Sequence, residues 1–146
     1  MAVTLHSTRF GRLDVPADAV IEFPSGLIGL GGTRYALLAR SEDSAFIWLQ
    51  SMDDPELAIP VTNPWRFFAD FELEVSDDDA GRIGITDADQ TSVYVTVRAA
   101  EELEDFHANL RAPILIAHGK GYQVINQAEG AEIRAPLFAG LATEAA

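Results

Sequence analysis

The feature that most constrains this chain is its rhythm of short apolar runs cut by turn residues. "VTLHSTRFGRLDV", "AVIEF", "RYALLA", "AFIWLQS", "ELAIPV", "FELEV", "SVYVTVR", "APILIA" and "YQVIN" are short and rich in β-branched or aromatic residues. Gly11, "PSG", "SEDS", "DDPE" and "HGKG" punctuate them. Strands spaced this way pack as a small barrel or sandwich with mostly antiparallel neighbours. The expected fold is therefore mainly all-β: a small antiparallel β-barrel-like single domain over residues 1–146, with one or two short helices. A chain of about 150 residues buries roughly 68–70% of its unfolded surface, so neither metal nor disulfide is needed for stability. The alanine-rich end "LATEAA", residues 141–146, is expected to fray.

Local signals place the turns and helices. "APILIAHGKGYQVIN" reads as a hairpin turning at Gly119-Lys120-Gly121, where glycine permits positive φ. In "TNPWRFF", Asn63 is the expected N-cap and Pro64 the first helical residue. In "SDDDAGRIGI", Ser76 and Asp79 have the spacing of a capping box, with Asp77, Asp78 and Asp79 in the first turn where the helix dipole favours anions. Gly81 weakens that helix and Gly84 ends it, so it is short.

Composition narrows the functions. The chain has no cysteine, which removes thiol catalysis, thiolate metal sites and disulfides and suits the cytosol. "MAVTLHSTRF" lacks the basic start and apolar core of a signal peptide, and no apolar run approaches a membrane span. With 23 acidic against 10 basic residues the net charge is −13, which repels phosphate backbones and anionic lipid. Direct nucleic-acid or membrane binding is not expected. A basic protein partner would instead be steered in; the plainer reading is that acidity serves solubility.

Catalytic and metal-binding patterns are missing. Asp53-Asp54-Pro55-Glu56 reads as a turn between paired strands "WLQSM" and "LAIPV": Pro55 fixes φ near about −65° and aspartates accept bonds from nearby amides. It lacks the ligand spacing of a calcium loop. His6, His107 and His118 stand alone, without the spacing of a zinc site, and read as strand-end or surface residues. "GLIGLGG" has neither dinucleotide nor phosphate-loop spacing and reads as a sharp loop between strands. Ser25 lacks the glycines of a nucleophile elbow. No enzyme, cofactor or metal is expected. The alternative kept open is a small-ligand-binding barrel or a carboxylate-dependent hydrolase, which would need a deep pocket holding two close acids with shifted pKa values.

Charge alone selects candidate partner-binding residues. Asp70, Glu72 and Glu74 alternate with Phe71, Leu73 and Val75, so a strand there would put the three carboxylates on one face. Asp77, Asp78 and Asp79 extend the negative field from the next helix start. The bland reading is a solvated strand face followed by capping aspartates.

Several stretches, in order, resemble the bacterial flagellar assembly factor FliW family: "FPSGLIGL" at 23–30, "FIWLQSMDDPELAIPVTNP" at 46–64, "FADFELEVSDDD" at 68–79, "NLRAPILI" at 109–116, "GYQVI" at 121–125 and "IRAPL" at 133–137. "GLGGTRY" and "RAAEELEDFHA" depart from the family pattern. The resemblance implies a non-enzymatic cytoplasmic protein, monomeric when free, that binds the translational repressor CsrA. Such proteins stop CsrA from silencing flagellin messenger RNA, and flagellin is their competing partner.

Overall fold

The computed structural model describes residues 2–24, 26–27, 33–39, 46–83, 91–98, 101, 105–117 and 119–137. β1 (Ala2–Ser7) and β2 (Gly11–Pro16) pair as a hairpin with Ser7 opposite Gly11. Gly11 supplies the positive φ, +78°, that its three-residue loop requires. Ser7 Oγ accepts from the amides of Arg9 and Phe10, at 3.1 and 3.0 Å.

β3 (Val20–Glu22), β4 (Arg34–Leu38), β5 (Ile47–Ser51), β6 (Ala58–Thr62) and β7 (Ser92–Arg98) then follow as an antiparallel meander. β8 (His107–Ala108) pairs with the end of β7, β9 (Ile114–Ala117) and β10 (Lys120–Gln123) form a hairpin, and β11 (Ala135–Pro136) pairs with β8. β9 returns to the start of β7 and β10 lies parallel to β3, which closes seven strands into a barrel. The expected small, mostly antiparallel barrel is what forms. Closure leaves these strands no free edge to aggregate.

Period-two alternation builds two cores around β4. Tyr35 and Leu37 point into the barrel with Phe23, Leu49, Val61 and Ile114. Ala36 and Leu38 point outward, where the β1–β2 hairpin covers them with Leu5 and Val15. Phe23 and Tyr35 meet edge to face at 5.6 Å. Burial, with the charges of Asp53 and Asp54 adding to it, holds the Tyr35 phenol above its ordinary pKa. Burial likewise raises Tyr94, partly offset by a hydrogen bond with Ser92.

The Asp53-Asp54-Pro55-Glu56 segment is a turn, as its sequence indicates. Leu57 N donates to Asp54 O at 3.1 Å, and Glu56 N donates to Asp54 Oδ1 at 3.0 Å. The buried amide of Gln50 secures the loop from below. Its nitrogen lies 3.1–3.3 Å from the carbonyl oxygens of Ser51, Asp54, Pro55 and Leu57, and its oxygen accepts from Ser7 Oγ at 2.7 Å. Arg34 and Asp53, 3.5 Å apart and half-exposed, add at most about 1 kcal/mol.

Two local expectations need correction. The β9–β10 hairpin sets Ala117 opposite Lys120, so Lys120 and Gly121 already lie in the strand rather than in the turn. Gly119 carries the positive φ, +75°. Gly121 is needed for close packing instead: a Cβ there would lie 2.6 Å from Cζ of Phe23. "FELEV" is also not a strand, for a reason given below. Both short helices form, as a 3-10 turn at Pro64–Arg66 and as α1 (Asp77–Ile83). Gly84, His118 and the segment 141–146 lie outside the described residues. Among the described residues no helix is long and apolar enough to cross a membrane.

A candidate acidic docking groove

The 3-10 turn after β6 starts the site. Asn63 Oδ1 accepts from Trp65 N at 3.0 Å, the cap its sequence predicts. Phe68 N and Phe71 N donate to Pro64 O and Phe68 O, at 2.8 and 3.0 Å, which winds the chain over the second core. Trp65 then packs edge-on against Phe71 at 5.1 Å and donates from Nε1 to Phe71 O at 3.0 Å. Phe71 is buried with Val95, Ala108 and Leu110 on the outer side of β7.

Residues 71–76 join no ladder. One side chain replaces the missing strand partner. Asn126 is 2% exposed, and its Nδ2 donates to Glu72 O at 2.8 Å and Leu110 O at 3.2 Å. Its Oδ1 accepts from Glu74 N at 2.9 Å and Ala128 N at 3.0 Å, so every donor and acceptor of the amide is used. Gln127 N adds a bond to Glu74 O at 2.7 Å. The predicted alternation thus survives without a strand: Phe71 is buried, Leu73 and Val75 are half-buried, and Asp70, Glu72 and Glu74 are exposed.

The six residues selected by charge separate into two groups. Asp70 and Glu72 line a groove of ≈ 580 Å³ whose floor includes Phe67, Phe68, Phe71 and Leu110. Glu74 and the α1 aspartates do not line it. Asp77 and Asp78 are exposed in the first turn of α1, where Ser76 Oγ accepts from Asp79 N at 3.2 Å, the capping bond expected from the sequence. Glu129 and Glu132 complete the groove from the opposite wall. Sequence reasoning missed them because they lie far along the chain. The signal that could have found that wall is Asn126, a polar residue two places beyond buried Val124 in an apolar register.

The groove therefore carries four carboxylates around an aromatic floor, and among the described residues no Lys, Arg or His lines it. Arg111 stands behind one wall, with Nε donating to Ala131 O at 3.0 Å. Among the described residues no three His, Cys, Asp or Glu side chains gather to hold a metal ion. In the barrel interior Phe23, Tyr35, Leu49, Val61 and Ile114 are fully buried.

Fold and surface together define a small closed β-barrel protein with an acid-rimmed apolar groove. The family model described as FliW protein matches residues 4–137. The flagellar assembly factor FliW of Desulfitobacterium hafniense (strain Y51) is 34% identical over 137 residues, covering 92% of this chain and 90% of that protein. That of Alkaliphilus metalliredigens (strain QYMF) is 33% identical over 129 residues, covering 86% and 80%. A crystal structure of the flagellar assembly factor FliW matches with a TM-score of 0.82 at 26% identity, covering 92% of this chain and 96% of the other. This chain belongs to the FliW family.

Proposed function

We propose that this protein is a cytoplasmic flagellar assembly factor that binds a CsrA-like translational repressor and stops it silencing flagellin messenger RNA. Flagellin is the competing partner. The observation that supports this most is the groove, with Asp70, Glu72, Glu129 and Glu132 around phenylalanine side chains and, among the described residues, no basic residue in its lining. A repressor that binds RNA presents basic surface, and an acidic rim around an apolar floor complements it in both charge and burial. Glu74, Asp77, Asp78 and Asp79 stand outside the groove and strengthen the long-range field that steers the encounter.

The net charge of −13 sets the order of events. The protein is repelled by RNA and so acts on the repressor rather than on the message. The role needs no cofactor and no chemical step, and the free protein is a monomer. To test it, the purified protein is titrated into a complex of repressor and flagellin leader RNA. RNA should be released, and added flagellin should restore the complex. An unchanged repressor–RNA affinity, or release through direct RNA binding by this protein, would overturn the proposal.

A further inference from the structure

Pro60 creates a second concavity, unlike the groove. Ser51 N donates to Leu57 O, which makes Trp48 opposite Pro60 a pair without ladder bonds and turns the Pro60 nitrogen toward β7. Proline has no N–H to offer there. The β6–β7 ladder accordingly holds only Val61 with Thr96 and Thr62 with Val95, while Val97 and Arg98 pair with β8. Where the two strands part, a cleft of ≈ 580 Å³ opens, with Leu27, Ile59 and Ala112 among its lining.

Alternation fixes what faces this cleft. On the β7–β8–β11 layer, Val95, Ala108 and Ala135 turn to the second core. The opposite face presents Arg98 and His107, paired across β7 and β8, and Arg134 follows just before β11. Among the described residues no Asp or Glu lines the cleft. Among the described residues neither Arg98 nor Arg134 is ion-paired. His107 Nδ1 lies 3.2 Å from Asp105 O, so Nδ1 is the donor in that contact. Ile133 stands at the rim, 63% exposed. A chain with 23 acidic and 10 basic residues thus sets two arginines, unpaired among the described residues, beside exposed apolar surface.

We propose that this cleft is a second docking site, which takes an extended segment of a partner protein carrying alternating apolar and carboxylate side chains. Charge complementarity selects that occupant: carboxylates meet Arg98 and Arg134, while the apolar side chains cover Ile133 and reach Ile59 and Leu27. The site is independent of the acidic groove and does not rest on the repressor reading.

The probe is a fluorescent peptide alternating glutamate with leucine, followed by anisotropy at low salt. It should bind saturably, against the repulsion of the whole protein's −13 charge. Replacing its glutamates by lysine or its leucines by serine should weaken binding by roughly tenfold or more. Arg98→Gln with Arg134→Gln should do the same, and Ile133→Ser should weaken it severalfold; these exposed changes leave the circular dichroism unchanged. Asp70→Asn with Glu72→Gln should leave binding intact. Absence of saturable binding, equal binding of the control peptides, or indifference to the arginine pair would overturn the proposal. So would a homodimer in sedimentation equilibrium that Arg98→Glu dissolves, because the cleft would then belong to a second copy.

Discussion

The groove and the cleft have similar volumes and opposite charge, and one thin layer of strands lies between them. Consecutive residues divide between the two: Glu132 lines the groove, Ile133 and Arg134 the cleft, and Ala135 the groove again. Each concavity arises where a β ladder fails, but the two failures differ. At the cleft Pro60 removes a donor, and the strands separate. At the groove the ladder is absent and Asn126 substitutes for it, so the chain stays in place. A broken ladder therefore yields either an opening or a held edge, depending on whether a side chain satisfies the freed backbone groups.

That contrast can be broken most severely at Asn126. Asn126→Leu removes the amide that satisfies Glu72 O, Glu74 N, Leu110 O and Ala128 N. With buried groups left unpaired, urea unfolding should show a loss of about 3–4 kcal/mol. Hydrogen exchange should rise first across residues 72–74 and 126–128. An unchanged urea midpoint would remove Asn126 as the element that holds the groove.

Gly121→Ala acts on the barrel wall instead. Its new methyl must displace the Phe23 ring, at a cost of about 1–3 kcal/mol by urea unfolding. Repressor association by the folded fraction should not change. Loss of both together would mean that barrel and groove are not separable.

Alkali should also strike the barrel before the groove. Tyr35 and Tyr94 are held above the ordinary value of 10.0 by burial, so the folded state keeps their protons more tightly than the unfolded state. That contribution is complete below about pH 10 and is lost as pH rises through the folded pKa values. The urea midpoint should fall above pH 10 together with phenolate absorbance. A midpoint that does not fall there would contradict the burial assigned to these phenols.

The smallest stability effect belongs to the rim. Glu129→Gln with Glu132→Gln should shift stability by no more than about 0.5 kcal/mol. It should nevertheless slow repressor association, which stopped-flow mixing would measure. Full-speed association would confine docking to the Asp70 side.

Much of the barrel was legible because its causes are local. Alternation placed Tyr35 and Ala36 on opposite faces, Asn63 announced its cap, and Pro55 with Asp54 announced a turn. Closure was less legible, since the parallel contact of β10 with β3 joins residues about a hundred positions apart and leaves no local pattern. The groove was half legible for the same reason. Asp70 and Glu72 stood out within one acidic run, whereas Glu129 and Glu132 reach it only through the fold. "FELEV" misled because alternation reports which side is buried, not whether a neighbouring strand supplies the hydrogen bonds.

The central claim is that the acidic groove docks a basic repressor. Its most direct test is the association rate of a CsrA-like repressor across a salt series, for the native protein and the Asp70→Asn, Glu72→Gln, Glu74→Gln variant. Circular dichroism should match between the two. At low salt the variant should associate roughly tenfold more slowly, with a flattened salt dependence, because rim charges act mainly on the encounter. Glu74→Gln alone should change little, since Glu74 stands outside the groove. A triple variant that associates at the native rate in low salt, with the native salt slope, would contradict the account.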